Sequence, residues 1–208
     1  MYVRMVGHGS GEPVHLQGGT MKIDVNMGYQ YVQRVLDKET NPKRQRNLKV
    51  VIAHMKAEAR CDVDGVLATL VQKPEYKWHG DPLNPLLNPK GSQQAVADFY
   101  DMWIVQTGAH QIEWDLSRVM VDDHAVLTEG MMKVAFPGKT LLSLGIEVDD
   151  PDAFYAAMGM TTVVWPVDDA TGLLVGEEVW DCDKMVGIAD RKVATSDITP
   201  LAPEAFIV

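Results

Sequence analysis

Positive charge is scarce in this sequence: 19 Lys and Arg stand against 29 Asp and Glu, a formal net charge of −10. A chain of that sign repels phosphate backbones and anionic headgroups, which argues against nucleic acid and membrane as partners. The one dense basic run, Lys43 to Arg46, reads as a solvated helical turn. Cysteine is scarcer still. Cys61 and Cys182 lie far apart and outside any Cys-x-x-Cys pair, so neither a zinc cage nor a disulfide framework is indicated. No apolar run approaches the roughly 18 residues of a membrane span, and the N-terminus is rich in Gly and His where a signal peptide is apolar. These absences predict a reduced, cytoplasmic protein.

Familiar catalytic fingerprints are missing too. The sequence has no Gly-x-Ser-x-Gly elbow, no phosphate-binding Gly-rich loop and no dinucleotide fingerprint. GHGSG near the N-terminus has the glycines but no helix signal after it, and no His-x-x-x-His pair stands beside an acid. No cofactor and no metal are expected.

What is present is the composition of a folded chain: 208 residues, 46% hydrophobic and 23% charged, enough for one well-buried domain with extensions. Residues 1–40 read as an arm of uncertain shape. Asn41 and Pro42 form a helix start, and Leu48, Val51, Ile52, Met55 and Ala59 recur at helical spacing, leaving Lys49, Lys56 and Glu58 largely outside the stripe. Asp62 caps a second helix carrying Val63, Val66, Leu67 and Leu70, which Pro74 ends. A strand is predicted at Glu75 to His79, then an irregular Pro- and Gly-rich stretch, then a third helix from Ser92 to Val105.

Beyond that point the pattern turns to strands. Residues 111–122 and 124–136 form a hairpin through VDDH, and TTVVWPV returns as LLVGEEVW through DDATG, with Gly172 at the turn. Between the hairpins the sequence predicts a strand at 140–148 and a short helix on DDPDAFYAAM. Helices first and antiparallel strands afterwards predict an α+β domain over residues 41–190, with 191–208 as a packed tail.

The order of these elements resembles the nuclear transport factor 2-like superfamily, which includes SnoaL-like polyketide cyclases, ketosteroid isomerases, scytalone dehydratases and limonene epoxide hydrolases. ARCDVDGVLATLVQKPEYKWHG, GSQQAVADFYDMW and DDATGLLVGEEVWDCD carry the resemblance, which spans roughly residues 41–183. It implies a cone-shaped curved antiparallel sheet with three N-terminal helices on its concave face. It further implies an apolar small-molecule ligand and a homodimer through the outer sheet face. The same alignment removes one chemistry: His54, Trp78 and Val163 fall where a ketosteroid isomerase carries its tyrosine and two aspartates.

Other residues must then act. His54 borders the apolar stripe of its helix, and an imidazole changes charge near neutral pH. Alternation places Trp78 and His79 on opposite faces, so at most one points inward. Glu129 interrupts an apolar strand and, if buried, could act as a base; its parity with Lys133 equally allows the solvent side. By resemblance, Asp183 is the closer analogue of the SnoaL-like base than Asp181. Glu178 shares parity with Leu174 and Trp180, which marks it rather than Glu177 as the inward acid. Tyr76, Trp78, Tyr100, Trp103, Trp114 and Trp165 would wall the pocket. Together these imply a cofactor-independent isomerase, cyclase or dehydratase acting on an apolar or polycyclic molecule. The alternative is a non-catalytic binding or dimerisation module on the same fold.

Overall fold

The computed structural model describes residues 21–207; residues 1–20 and 208, GHGSG among them, lie outside the described residues. Asn41 opens the longest helix, α2 (Pro42–Ala59), by accepting from the backbone N–H groups of Lys43 and Arg44. Pro42 fills the first position, where no intrahelical donor is needed. Leu48, Val51, Ile52 and Met55 of the predicted stripe are buried, Ala59 is half-buried, and Asn47 and His54 are buried with them. Asp62 caps α3 (Val63–Ala68) through the Gly65 N–H at 2.9 Å. Ser92 caps α4 (Gln93–Tyr100), which widens into a π turn over Asp101–Val105 and so completes the predicted third helix.

The second half of the expected arm is structured. It forms β1 (Ile23–Asp24) and α1 (Met27–Leu36), and α1 buries Tyr29 and Val32 in the main core against α2. A fourth N-terminal helix therefore joins the expected three.

The main sheet runs β2 (Lys77–Trp78), β6 (Glu178–Asp181), β5 (Phe154–Pro166), β4 (Ala125–Pro137), β3 (Gln111–Val121). β2 lies parallel to β6, and the other neighbours are antiparallel. Both predicted hairpins form. The first turns where the Asp122 carboxylate accepts from the His124 and Ala125 N–H groups at 2.7 and 2.8 Å; the second turns at Gly172, whose φ is +74°. β3 bulges between Leu116 and Arg118, opposite Gly130, where a Cβ would lie 2.1 Å from the Asp115 carbonyl oxygen. Such a bulge adds twist and helps curve a sheet over its helices.

Two local expectations fail between the hairpins. The strand expected at 140–148 is instead a helix over its first part, α5 (Gly138–Ser143), and DDPDAFYAAM is a turn over its first five residues and the start of β5 over its last five. β5 pairs with β4 over its whole length, and that ladder outweighs the helical preference of an alanine-rich segment. The C-terminal segment adds β7 (Lys192–Val193) beside β5 and β8 (Ile198–Thr199) beside β1, and its Ala205 is buried in the main core. Among the described residues no helix is long and apolar enough to cross a membrane.

Candidate active site

Between the helices and the concave face of the sheet lies a cavity of about 580 Å³. Strand alternation decides what reaches it. Met132, Val134 and Phe136 of β4 line it, as do Ala157, Thr161, Val163 and Trp165 of β5. Phe99 and Tyr100 close it from α4, and Met55 and Glu58 from α2.

Into this mostly apolar wall α2 sets Glu58, and one helical turn earlier on the same face it buries His54 behind the wall. His54 is fully buried. The Thr69 hydroxyl donates to the Val66 carbonyl at 2.6 Å, so its oxygen is left to accept from His54 Nδ1 at 2.7 Å. Nδ1 therefore carries a hydrogen, and Nε2 is the edge that titrates. That edge lies 3.1 Å from Tyr100 Oη, 3.2 Å from Glu177 Oε1 and 3.8 Å from Glu58 Oε1. Tyr100 Oη sits among all three, 2.7 Å from Glu58 Oε1 and 3.1 Å from Glu177 Oε1, with Tyr76 Oη 3.4 Å away.

Crowding four polar groups in apolar surroundings shifts their protonation. Burial lifts the Glu58 carboxyl to about 7; His54 opposes the rise, the Glu177 charge adds to it, and the Tyr100 hydrogen bond opposes it. Burial alone would lower His54, but the hydrogen bond to Glu177 and the charges of Glu58 and Glu177 outweigh it and hold the imidazolium above its ordinary value. Tyr100 and Tyr76 are held well above the usual phenol range, first by burial and then by the nearby carboxylates. Both phenols are therefore donors, not bases, at neutral pH. The donor atoms of His54, Glu58 and Glu177 also lie within 4.8 Å of one another, close enough to share a divalent cation. Tyr100 Oη lies within hydrogen-bond distance of all three but has one hydrogen, so it donates to one carboxylate at a time.

The residues singled out in the sequence divide between this site and other places. Trp78, Tyr100, Trp103, Trp114 and Trp165 line the cavity, and Asp183 lies on its exposed rim. Tyr76 and His54 stand behind the wall, touching it through Tyr100. His79 turns away, as alternation against Trp78 required, and stacks on Trp180 at 3.9 Å. Glu129 is on the outer face, 3.5 Å from Arg118 and accepting from Thr162 Oγ1 at 3.3 Å. Its parity with Lys133 prevailed: even-numbered residues of β4 face the cavity, so Glu129 is not a cavity base.

Glu178 also requires correction. It pairs outside with Lys77 at 3.0 Å and His79 at 3.6 Å, while Glu177 is buried at the cavity. The parity count from Leu174 breaks at Gly176, which has a φ of +154° and passes so close to β2's lead-in that a Cβ would lie 2.0 Å from the Glu75 carbonyl oxygen. One irregular residue thus exchanges the two faces. Glu58, placed largely outside the apolar stripe, is the other residue missed: its side chain is 24% exposed and lines the cavity. The signal that could have found it was the His54–Glu58 spacing itself.

No family model matches the sequence, and no curated protein matches it. Solved structures do. A protein named as a SnoaL-like polyketide cyclase from Shewanella putrefaciens CN-32 aligns with a TM-score of 0.55 at 10% identity, over 73% of this chain and 86% of that one. Another of that name from Jannaschia sp. CCS1 gives 0.52 at 15% identity, over 74% of this chain and 97% of the other. An NTF2-like protein of unknown function from Burkholderia pseudomallei K96243 gives 0.50 at 18% identity, over 69% and 97%. Identities this low speak to architecture and not to chemistry. On that architecture the chain has the NTF2-like α+β cone fold.

Proposed function

We propose that this chain is a cofactor-independent acid–base enzyme of the isomerase, cyclase or dehydratase type, acting on an apolar carbonyl compound held in the cavity. One observation carries the reading: Glu58, its carboxyl lifted to about 7, faces an apolar cavity beside Tyr100 and Glu177, with His54 behind them. A base poised near neutrality is the state in which proton transfer in both directions is fast.

The reaction follows from those roles. The Glu58 carboxylate takes a proton from the carbon beside the carbonyl, and the C–H electron pair moves to the carbonyl oxygen as an enolate. Tyr100, which keeps its proton, can turn its O–H from Glu58 to that oxygen once Glu58 is neutral. The buried His54 imidazolium, beside Glu177, steadies the phenol as charge moves. Glu58 then returns the proton to another atom of the substrate, and no redox partner is needed.

Exchange of α-protons with deuterium oxide, followed by NMR over a panel of apolar ketones, tests this without knowledge of the product. Exchange that Glu58→Gln slows by about 10²- to 10⁴-fold supports it. Ketones that bind tightly to the wild type yet exchange no faster than in buffer would overturn it in favour of the non-catalytic module. A homodimer through the outer sheet face, where Met120, Met160 and Trp180 are exposed, belongs to the same proposal and is read from the mass in solution.

A further inference from the structure

The cavity has a second polar station, at its mouth. Glu177, just before β6, and Val179 and Asp181 within it lie at alternate positions, and all three line the cavity. At about 3.3 Å of rise per residue, Asp181 stands about 13 Å along the wall from Glu177. Its carboxylate is fully engaged: Oδ1 accepts from Trp78 Nε1 at 2.8 Å, and Oδ2 accepts from Lys184 Nζ. Lys184 also lines the cavity, its side chain is only 12% exposed, and its ammonium lies 5.8 Å from the centre of the Trp78 ring.

An ammonium has three donors, and among the described residues this one spends a single donor, on Asp181. Its backbone is held in place, because Arg191 donates to the carbonyls of Lys184, Val186 and Ala156 at 3.0, 2.8 and 2.7 Å. The rim around it is acidic. Asp81, Asp181 and Asp183 line the same mouth, so the local charge disfavours an anionic ligand and leaves a neutral oxygen as the partner that the spare N–H groups fit.

We infer that the cavity takes an elongated ligand oxygenated at both ends, with Lys184 holding a neutral ketone or hydroxyl oxygen beside Asp181 at the mouth while the other end lies among Glu58, Tyr100 and Glu177. This rests on the acid–base reading only for which end of the ligand reacts. Lys184 is then a specificity residue: it selects molecules by the presence of the far oxygen.

The test is quenching of tryptophan fluorescence by two flat tetracyclic ketones, one oxygenated at both ends and one lacking the far oxygen. The wild type is expected to bind the first about tenfold more tightly, the scale of one hydrogen bond to a charged donor. In Lys184→Met that ratio falls to near one. The double variant Asp181→Asn, Lys184→Met keeps a carbonyl acceptor for Trp78 and avoids a half-buried unpaired carboxylate, so it covers the case in which the single variant fails to fold. Equal binding of the two ketones by the wild type, or a tenfold ratio that survives in either variant, would overturn the inference. Because binding is read apart from turnover, the two proposals fail separately. A tenfold preference with no α-proton exchange removes only the acid–base reading, and exchange with no preference removes only the role of Lys184.

Discussion

His54 Nδ1 and Thr69 Oγ1 lie 2.7 Å apart, and the Thr69 hydrogen is already committed to the Val66 carbonyl at 2.6 Å. That contact turns the titrating edge of the imidazole toward Tyr100, Glu177 and Glu58. The pair sits on two helices, α2 and the end of α3, so the sense of the ring is set by how those helices pack.

Thr69→Val removes the acceptor and leaves the Nδ1 hydrogen buried without a partner. The expected loss is about 1–3 kcal/mol of stability, read from the urea midpoint, with turnover down about tenfold as the ring loses its fixed sense. Thr69→Ser keeps the hydroxyl and is expected to recover most of both. Equal damage in the two variants would make the site's demand steric and not one of hydrogen bonding.

Stability should fall as pH rises, and Glu58 sets one window. Its folded pKa of about 7 lies above the ordinary 4.5, so the folded state binds the extra proton between those values and loses that advantage as pH climbs through them. His54 works in the same direction at higher pH, since its raised pKa gives stability present below the ordinary 6.5 and lost as pH passes the folded value. Glu58→Gln removes the first contribution. It should match the wild type near pH 4 and exceed it by about 3 kcal/mol at pH 8, at 1.36 kcal/mol per unit. Parallel wild-type and variant curves from pH 4 to pH 8, by urea titration, would count against a lifted carboxyl.

Activity should move the opposite way over the same window. Only the carboxylate form of Glu58 can take a proton, so kcat/KM is expected to rise with pH and reach half its limit near 7, and the limb should vanish in Glu58→Gln. A midpoint near 4.5 would mean that the carboxyl is not lifted in the free protein.

Adjacent acids should behave differently. Glu177→Gln removes the charge from the 3.2 Å contact with His54 and is expected to reduce turnover by about tenfold or more. Glu178→Gln removes only half-exposed pairs with Lys77 and His79, and should stay within about 1 kcal/mol in stability and twofold in rate. Gly176→Ala is expected to cost about 3 kcal/mol or more, because the new Cβ meets the Glu75 carbonyl at 2.0 Å in a backbone conformation that L side chains rarely adopt. Thermal melts of the three variants compare them directly.

Much of this was legible in the chain. Asn41, Asp62 and Ser92 are caps whose short polar side chains satisfy helix N–H groups wherever they stand, so the helix starts could be read locally. Period-two alternation likewise set Trp78 and His79 on opposite faces, but it left the face of Glu129 open until the sheet was folded. Glu58 was hidden because an acid at the edge of a helical stripe looks the same whether it borders water or a cavity. Glu177 was hidden because a parity count assumes regular backbone, and Gly176 breaks it.

The sequence by itself determined the α+β order, the caps, the turns and the apolar walls, since each depends on residues within a few positions of one another. Only the tertiary structure decided the chemistry. His54, Glu58, Thr69, Tyr100 and Glu177 come from α2, the end of α3, α4 and the edge of β6, and their protonation depends on mutual distances of about 3 Å in largely apolar surroundings. Separations of that kind are set by the packing of helices onto a curved sheet, which no local pattern encodes.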